Sequence, residues 1–276
     1  MPMAMATLPD GASIAYDVHD FTDPWRQPET IILVHGFTKN RKFWYAWIPQ
    51  LARRYRVICM DQRGHGDSTP LPPDFRMGLA PFAADLAAFI DVLGIQPAFL
   101  AMAEFTSAVA IELATTYPEH VRGLVVPGFW SNARASPVNR QEWIRLVEEE
   151  GAEAMLRASN NLRLPEGADP RQREWYIRQQ ARTPAWFMAA LFRFNHDLDL
   201  TPRLPRIHAP TLLISGTQGQ QGTLASAREA CGSIPNCRLA VLEGMPFNVM
   251  SAAPNACVRE TLRFLDDVVN GKPARE

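Results

Sequence analysis

The sequence predicts an α/β fold: a mostly parallel sheet flanked by helices, with a helical cap inserted into it. Three observations carry that reading. Short β-branched runs alternate with helix-period stretches along most of the chain, the arrangement that a parallel sheet covered on both faces requires. The strand runs are apolar rather than alternating, as strands buried on both faces are. The alternation fails in one block, between Phe129 and Pro205, which holds helical patterns, no clear strand pattern, and four of the seven tryptophans.

The elements follow in order. "ASIAYDVHD" (Ala12–Asp20) alternates like a strand, and "TIILVHG" (Thr30–Gly36) reads as a central strand ending in glycine. "YRVICMDQRGHG" (Tyr55–Gly66) is a strand that runs into a glycine-rich loop. "PFAADLAAFIDVLGI" (Pro81–Ile95) has helical periodicity, with proline at its start and glycine near its end. "PAFLAMAE" reads as a strand, "SAVAIELATTYP" as a helix stopped before Pro118, and "VRGLVVPG" as the next strand. "NRQEWIRLVEEEGAEAMLRA" and "QREWYIRQQARTPAWFMAALFRF" are the helical patterns of the inserted block. "APTLLISG" (Ala209–Gly216) and "CRLAVLEG" (Cys237–Gly244) are the last strands, and "NACVRETLRFLDDVV" (Asn255–Val269) the last helix. The division expected is a core of residues 1–130 and 206–276 and a helical cap of 131–205.

Bulk properties narrow the function classes. A length of 276 residues suits one large domain, or one with an inserted subdomain. A net charge of −1 gives no strong pull toward nucleic acid or anionic membrane. No apolar run reaches the roughly 18 residues that span a bilayer, and the N-terminus lacks the basic-then-apolar order of a secretory signal. The four cysteines form no CxxC pair and no Cys/His cluster with zinc spacing, and a Cys231–Cys237 disulfide is not expected. These features predict a soluble, cytoplasmic chain with neither metal nor cofactor, whose partner is a small-molecule substrate rather than nucleic acid or membrane; a homodimer is compatible with them.

Four segments carry a family resemblance: "LVHGFTKNRKFW" (Leu33–Trp44), "DQRGHGDS" (Asp61–Ser68), "ELATTYPEHVRGLVV" and "HAPTLLISG". In order and spacing the chain resembles the α/β-hydrolase-fold superfamily along nearly its whole length. That resemblance implies a serine on a sharp strand-to-helix turn, a histidine base and an orienting acid. Counting back from Tyr117-Pro118 places Glu104 at the nucleophile position, whereas a one-residue shift would place Phe105 there. Met102, Thr106 and Ser107 stand where the turn's glycines would be, which predicts a more relaxed turn. Phe247 falls at the histidine position, and "TQGQQG" (Thr217–Gly222) supplies no acid. All three triad positions thus depart from the pattern.

A glutamate at this turn has three readings. It can attack carbon, as the aspartate of related dehalogenases and epoxide hydrolases does, but the histidine that would help release such an ester is absent. It can move a proton, with the backbone N–H groups of Phe37 or its neighbour and of Phe105 stabilising an enolate or phenolate. Burial there favours the protonated carboxyl and the helix N-terminus favours the anion, and sequence does not choose between them. Or it only caps its helix, worth about 0.3–1 kcal/mol. The function expected is a cofactor-free enzyme acting on a small apolar or aromatic metabolite by acid/base chemistry of lyase, isomerase or ring-cleavage type at Glu104. The alternatives are an atypical hydrolase of esters, lactones or C–C bonds, with Ser107 the serine nearest the turn, and an inactive ligand-binding relative. Oxygen-using relatives rank low because they depend on the histidine.

Further binding candidates are His35, Trp130, Trp186, His196, Gln218, Phe247 and Asn248. His35, Asp61, His65 and Arg63 read mainly as structural. The arginines of the inserted block read as a solvated face, and their balance with glutamates implies no anionic substrate.

Overall fold

The computed structural model describes residues 3–136, 138–160, 163–165 and 167–275. Its strands are β1 (Ala4–Thr7), β2 (Ser13–His19), β3 (Thr30–Val34), β4 (Arg56–Met60), β5 (Ala98–Met102), β6 (Val121–Pro127), β7 (Thr211–Gly216) and β8 (Cys237–Leu242). They form one sheet in the order β1-β2-β4-β3-β5-β6-β7-β8. The first two strands are antiparallel to their neighbours, with Tyr16 opposite both Ala4 and Met60. From β4 to β8 every pairing is parallel; Val34 lies beside Met60 on one side and Met102 on the other. The carboxyl ends of β3 to β8 therefore share one edge, where open α/β sheets bind ligands.

The parallel strands are buried on both faces, and their side chains divide between two cores. Ile32 and Val34 pack with Leu86, Ile90, Val109 and Leu113 of helices α2 (Leu79–Leu93) and α3 (Ser107–Thr116). Ile31 and Leu33 pack with Trp44, Trp47, Phe264 and Leu265 on the other face, which helix α10 (Pro254–Val269) covers. Each fully buried Leu, Ile or Phe contributes about 1.5–3 kcal/mol. The short helices α1 (Ile48–Leu51) and α9 (Val249–Ala252) and the longer α8 (Leu224–Ser233) complete the layers.

The boundaries differ from expectation where local chemistry decides them. β1 escapes the sequence reading because "AMAT" is four residues on the sheet edge, too short for a period-2 pattern to stand out. Each long helical pattern of the inserted block is two helices. Gly151, at φ 92°, separates α4 (Arg140–Glu149) from α5 (Ala152–Ala158). Pro184, with no N–H to donate, separates α6 (Pro170–Gln180) from α7 (Ala185–His196). These four helices share a small core of their own, including Trp143, Met155, Ile177, Met188 and Phe192. None of the four cysteines is in a disulfide. Among the described residues no helix is long and apolar enough to cross a membrane.

Candidate active site

Strand β5 is buried along its whole length and ends at Met102; the next residue, Ala103, still donates its N–H to the Val34 carbonyl at 3.2 Å. The chain then turns sharply. Glu104 has φ 56°, a left-handed conformation that costs a non-glycine residue roughly 1–2 kcal/mol. It opens a single 3-10 turn (Glu104–Thr106) that leads into α3. The Thr106 hydroxyl donates to the Ala103 carbonyl at 2.7 Å and ties the turn together. The absence of glycines has not relaxed this turn, and Glu104, not Phe105, stands at its left-handed apex. Thr38, on the loop after β3, has φ 68°; among the described residues these are the two non-glycine residues in that region.

The two strained residues belong to facing loops that Lys39 joins. Its ammonium donates to Glu104 Oε1 at 2.5 Å and to Asn248 Oδ1 at 3.2 Å, and lies 5.3 Å from the Phe43 ring centroid. Both side chains are nearly sealed from solvent. Burial pushes the Lys39 pKa down and the Glu104 charge opposes that push. The second carboxylate oxygen packs against Gly36: a Cβ there would sit 2.8 Å from Oε2 and would push the carboxylate aside.

His35 and His65 brace the Lys39 loop from behind. His35 Nδ1 bonds the Gly36 carbonyl at 2.8 Å, and its Nε2 accepts the Gln62 N–H at 3.1 Å. His65 Nε2 accepts the Thr38 N–H at 3.4 Å. Burial lowers their pKa values to about 4 and about 3, so both rings are neutral at pH 7. Asp61 accepts from the Arg41 backbone N–H at 2.6 Å and from its guanidinium, and Arg63 pairs with Asp85 at 2.6 Å. All four residues hold loops in place.

Above Glu104 lies a narrow, partly open cavity. Its floor is Phe37, Thr38, Glu104, Phe105, Phe247 and Asn248, from the loops after β3, β5 and β8. Gln221, after β7, reaches its side. The helices between β6 and β7, with the segment that links α5 to α6, add Arg140, Arg163, Gln180, Leu191, Phe192 and Asn195.

Of the residues singled out from sequence, Glu104, Phe37, Phe105, Phe247 and Asn248 come together around the cavity. The others lie outside its lining. His35 sits behind the floor. Trp130 is buried against Phe105, with centroids 5.4 Å apart. Trp186 is 37% exposed, and Gln218 is exposed on the loop after β7. His196 ends α7 with Nε2 3.4 Å from the Gln141 amide. Ser107 is fully occupied: its hydroxyl donates to the Trp130 carbonyl and accepts the Trp130 N–H at 3.1 Å. Sequence reading passed over Lys39, although "HGFTKN" puts a lysine four residues past the strand-end histidine. It also placed Arg140 on a solvated face, whereas Arg140 is 3% exposed.

Comparison with known proteins adds four findings. A family model described as alpha/beta hydrolase fold matches residues 29–244. The chain is 26% identical over 242 residues to "Putative carbamate hydrolase RutD" of Stutzerimonas stutzeri, covering 82% of this chain and 87% of that one. It is 28% identical over 220 residues to 3-oxoadipate enol-lactonase 2 of Acinetobacter baylyi, covering 77% and 80%. Among solved structures it superposes on the enol-lactonase from Burkholderia xenovorans LB400 with a TM-score of 0.83 at 20% identity, covering 95% of this chain and 100% of that one, a likeness of fold.

Proposed function

The chain belongs to the α/β-hydrolase-fold family, and on that premise we propose that it is an enzyme that converts a small molecule by proton transfer at Glu104. The observation that supports this reading is the Lys39–Glu104 ion pair at the apex of a left-handed turn, with the carboxylate lining a cavity. Strain of this kind is retained where neighbouring structure over-determines it, and it clusters at sites of chemistry.

In this reading Glu104 stands where the family places its nucleophile, and Phe247 where it places the histidine. Glu104 takes a proton from a substrate carbon next to a carbonyl. The C–H electron pair moves toward that carbonyl, whose oxygen becomes an enolate held by the backbone N–H groups of Phe37 and Phe105. In an isomerisation the enolate collapses and the same carboxyl returns the proton at another carbon; in an elimination or ring cleavage the enolate electron pair breaks the bond from the β-carbon to its leaving group, which takes the proton from the carboxyl. Lys39 touches the carboxylate rather than the substrate; it positions Glu104 and balances its charge. The 131–205 segment serves as a cap that shields the enolate from water, over a core of residues 1–130 and 206–276. A serine mechanism fits poorly, because both hydrogen-bonding roles of Ser107 are spent on Trp130.

A second reading draws on the relatives. Two of them are named as a lactonase and a carbamate hydrolase, which favours Glu104 directing a water at a lactone or ester carbonyl. One experiment addresses both. A panel of small ketones, lactones and esters, with and without a carboxylate, is incubated in D2O and followed by proton NMR. We expect conversion or deuterium uptake by at least one compound, lost by about 100-fold or more in Glu104→Gln. Hydrolysis without carbon-bound deuterium selects the second reading. Undiminished turnover by Glu104→Gln contradicts both.

A further inference from the structure

We propose that the cavity binds a small organic acid and that Arg140 is the anchor for its carboxylate. This deepens the reading above and rests on it, since it takes the same cavity as the substrate site.

Arg140 is the first residue of α4 and is 3% exposed. One of its nitrogens is accounted for: Nη1 donates to the Ala133 carbonyl at 3.0 Å. Nε and Nη2 are buried and have no partner among the described residues. Its guanidinium lies 5.9 Å from the ring of Phe105, which lines the cavity, and 6.0 Å from that of Trp130. The guanidinium thus sits beside two aromatic rings, while its Nε and Nη2 find no acceptor among the described residues. Burial pulls its pKa below the usual guanidinium value and no neighbouring carboxylate opposes that pull.

A purely structural arginine would satisfy more of its five N–H groups than this one does, because an uncompensated buried charge is costly. The unsatisfied pair is also specific. Nε–H and one Nη2–H lie along one edge of the guanidinium plane and point the same way. That edge matches the two oxygens of a carboxylate in a bidentate contact. The other charges at the cavity do not supply this anion. Glu104 is bound to Lys39. Arg163 is a second cation, with Nη1 bonded to the Ser159 carbonyl at 3.0 Å and its guanidinium 5.3 Å from the Trp143 ring, and burial lowers its pKa to about 10. One fork and an aromatic wall suit a single carboxylate on an apolar body.

The test is calorimetric titration of the whole protein with phenylacetate and with phenylacetamide, which has the same shape and no charge. We expect phenylacetate to bind at least about tenfold more tightly, the scale of a charge-assisted hydrogen-bonded pair. Arg140→Gln should abolish that preference and Arg140→Lys keep part of it. Should Arg140→Gln not fold, the wild-type ratio decides alone. Equal affinity for the two probes, a preference that survives in Arg140→Gln, or inorganic phosphate competing as well as phenylacetate would overturn the proposal. Binding of neither probe overturns it together with the substrate-site reading. Glu104→Gln separates the two ideas: it should keep the phenylacetate preference while losing turnover. Lost preference with Glu104-dependent turnover of a neutral compound sinks the anchor alone.

Discussion

Lys39, on the loop after β3, and Arg140, at the start of α4, are equally hidden, at 3% exposure each. Lys39 has a carboxylate at 2.5 Å and a side-chain amide at 3.2 Å. Arg140 has one backbone carbonyl and, among the described residues, no carboxylate. The floor of the cavity is thus electrically closed before any ligand arrives, whereas the wall carries a charge that a ligand must complete. A buried charge with an internal partner holds a structure together; one without a partner marks where something binds.

Stability measurements can break that contrast. Lys39→Met strands the Glu104 carboxylate and should cost about 3–5 kcal/mol by urea unfolding, with part of the loss recovered in Lys39→Met/Glu104→Gln. The histidines behind the floor come next. Their folded pKa values, about 4 and about 3, lie below the ordinary 6.5, so unfolding takes up protons. Their stabilisation is complete above pH 6.5 and declines as pH falls toward 4 and then 3. Two such groups give a slope of up to about 2.7 kcal/mol per pH unit, and His35→Gln should reduce it measurably. Ser107→Ala leaves the Trp130 backbone unsatisfied and should cost about 1–3 kcal/mol with turnover within about twofold of wild type. The smallest effect is the sharpest. Arg140→Met removes a charge without a counter-ion and should change the stability of the ligand-free protein by no more than about 1 kcal/mol, in either direction. If Lys39→Met and Arg140→Met are equally destabilising, the contrast fails.

The two halves of the site were unequally visible in the sequence. Strands such as β3 and β7 declare themselves through β-branched runs, and Glu104 emerges from counting between neighbouring segments of one continuous stretch. Lys39 is different: its partner lies 65 positions away, and a single lysine in a loop carries no local pattern. Arg140 sits in "NRQEW", where charged neighbours read as a wet helix face; its place beside the rings of Phe105 and Trp130 is set by residues distant in sequence. His196 and Trp186 misled in the opposite sense, because their place near the end of the inserted block says nothing about which way the side chain turns. Periodicity records burial along one element, while a cavity is made by elements that meet from several directions.

The most direct measurement compares wild type and Glu104→Gln on the compound of the panel that turns over fastest, with phenylacetate affinity measured alongside. We expect kcat to fall by about 100-fold or more while the phenylacetate Kd stays within about twofold, which would assign the chemistry to the floor and the anion to the wall. A variant that turns over at the wild-type rate would mean that Glu104 serves only to pair with Lys39 and hold the turn.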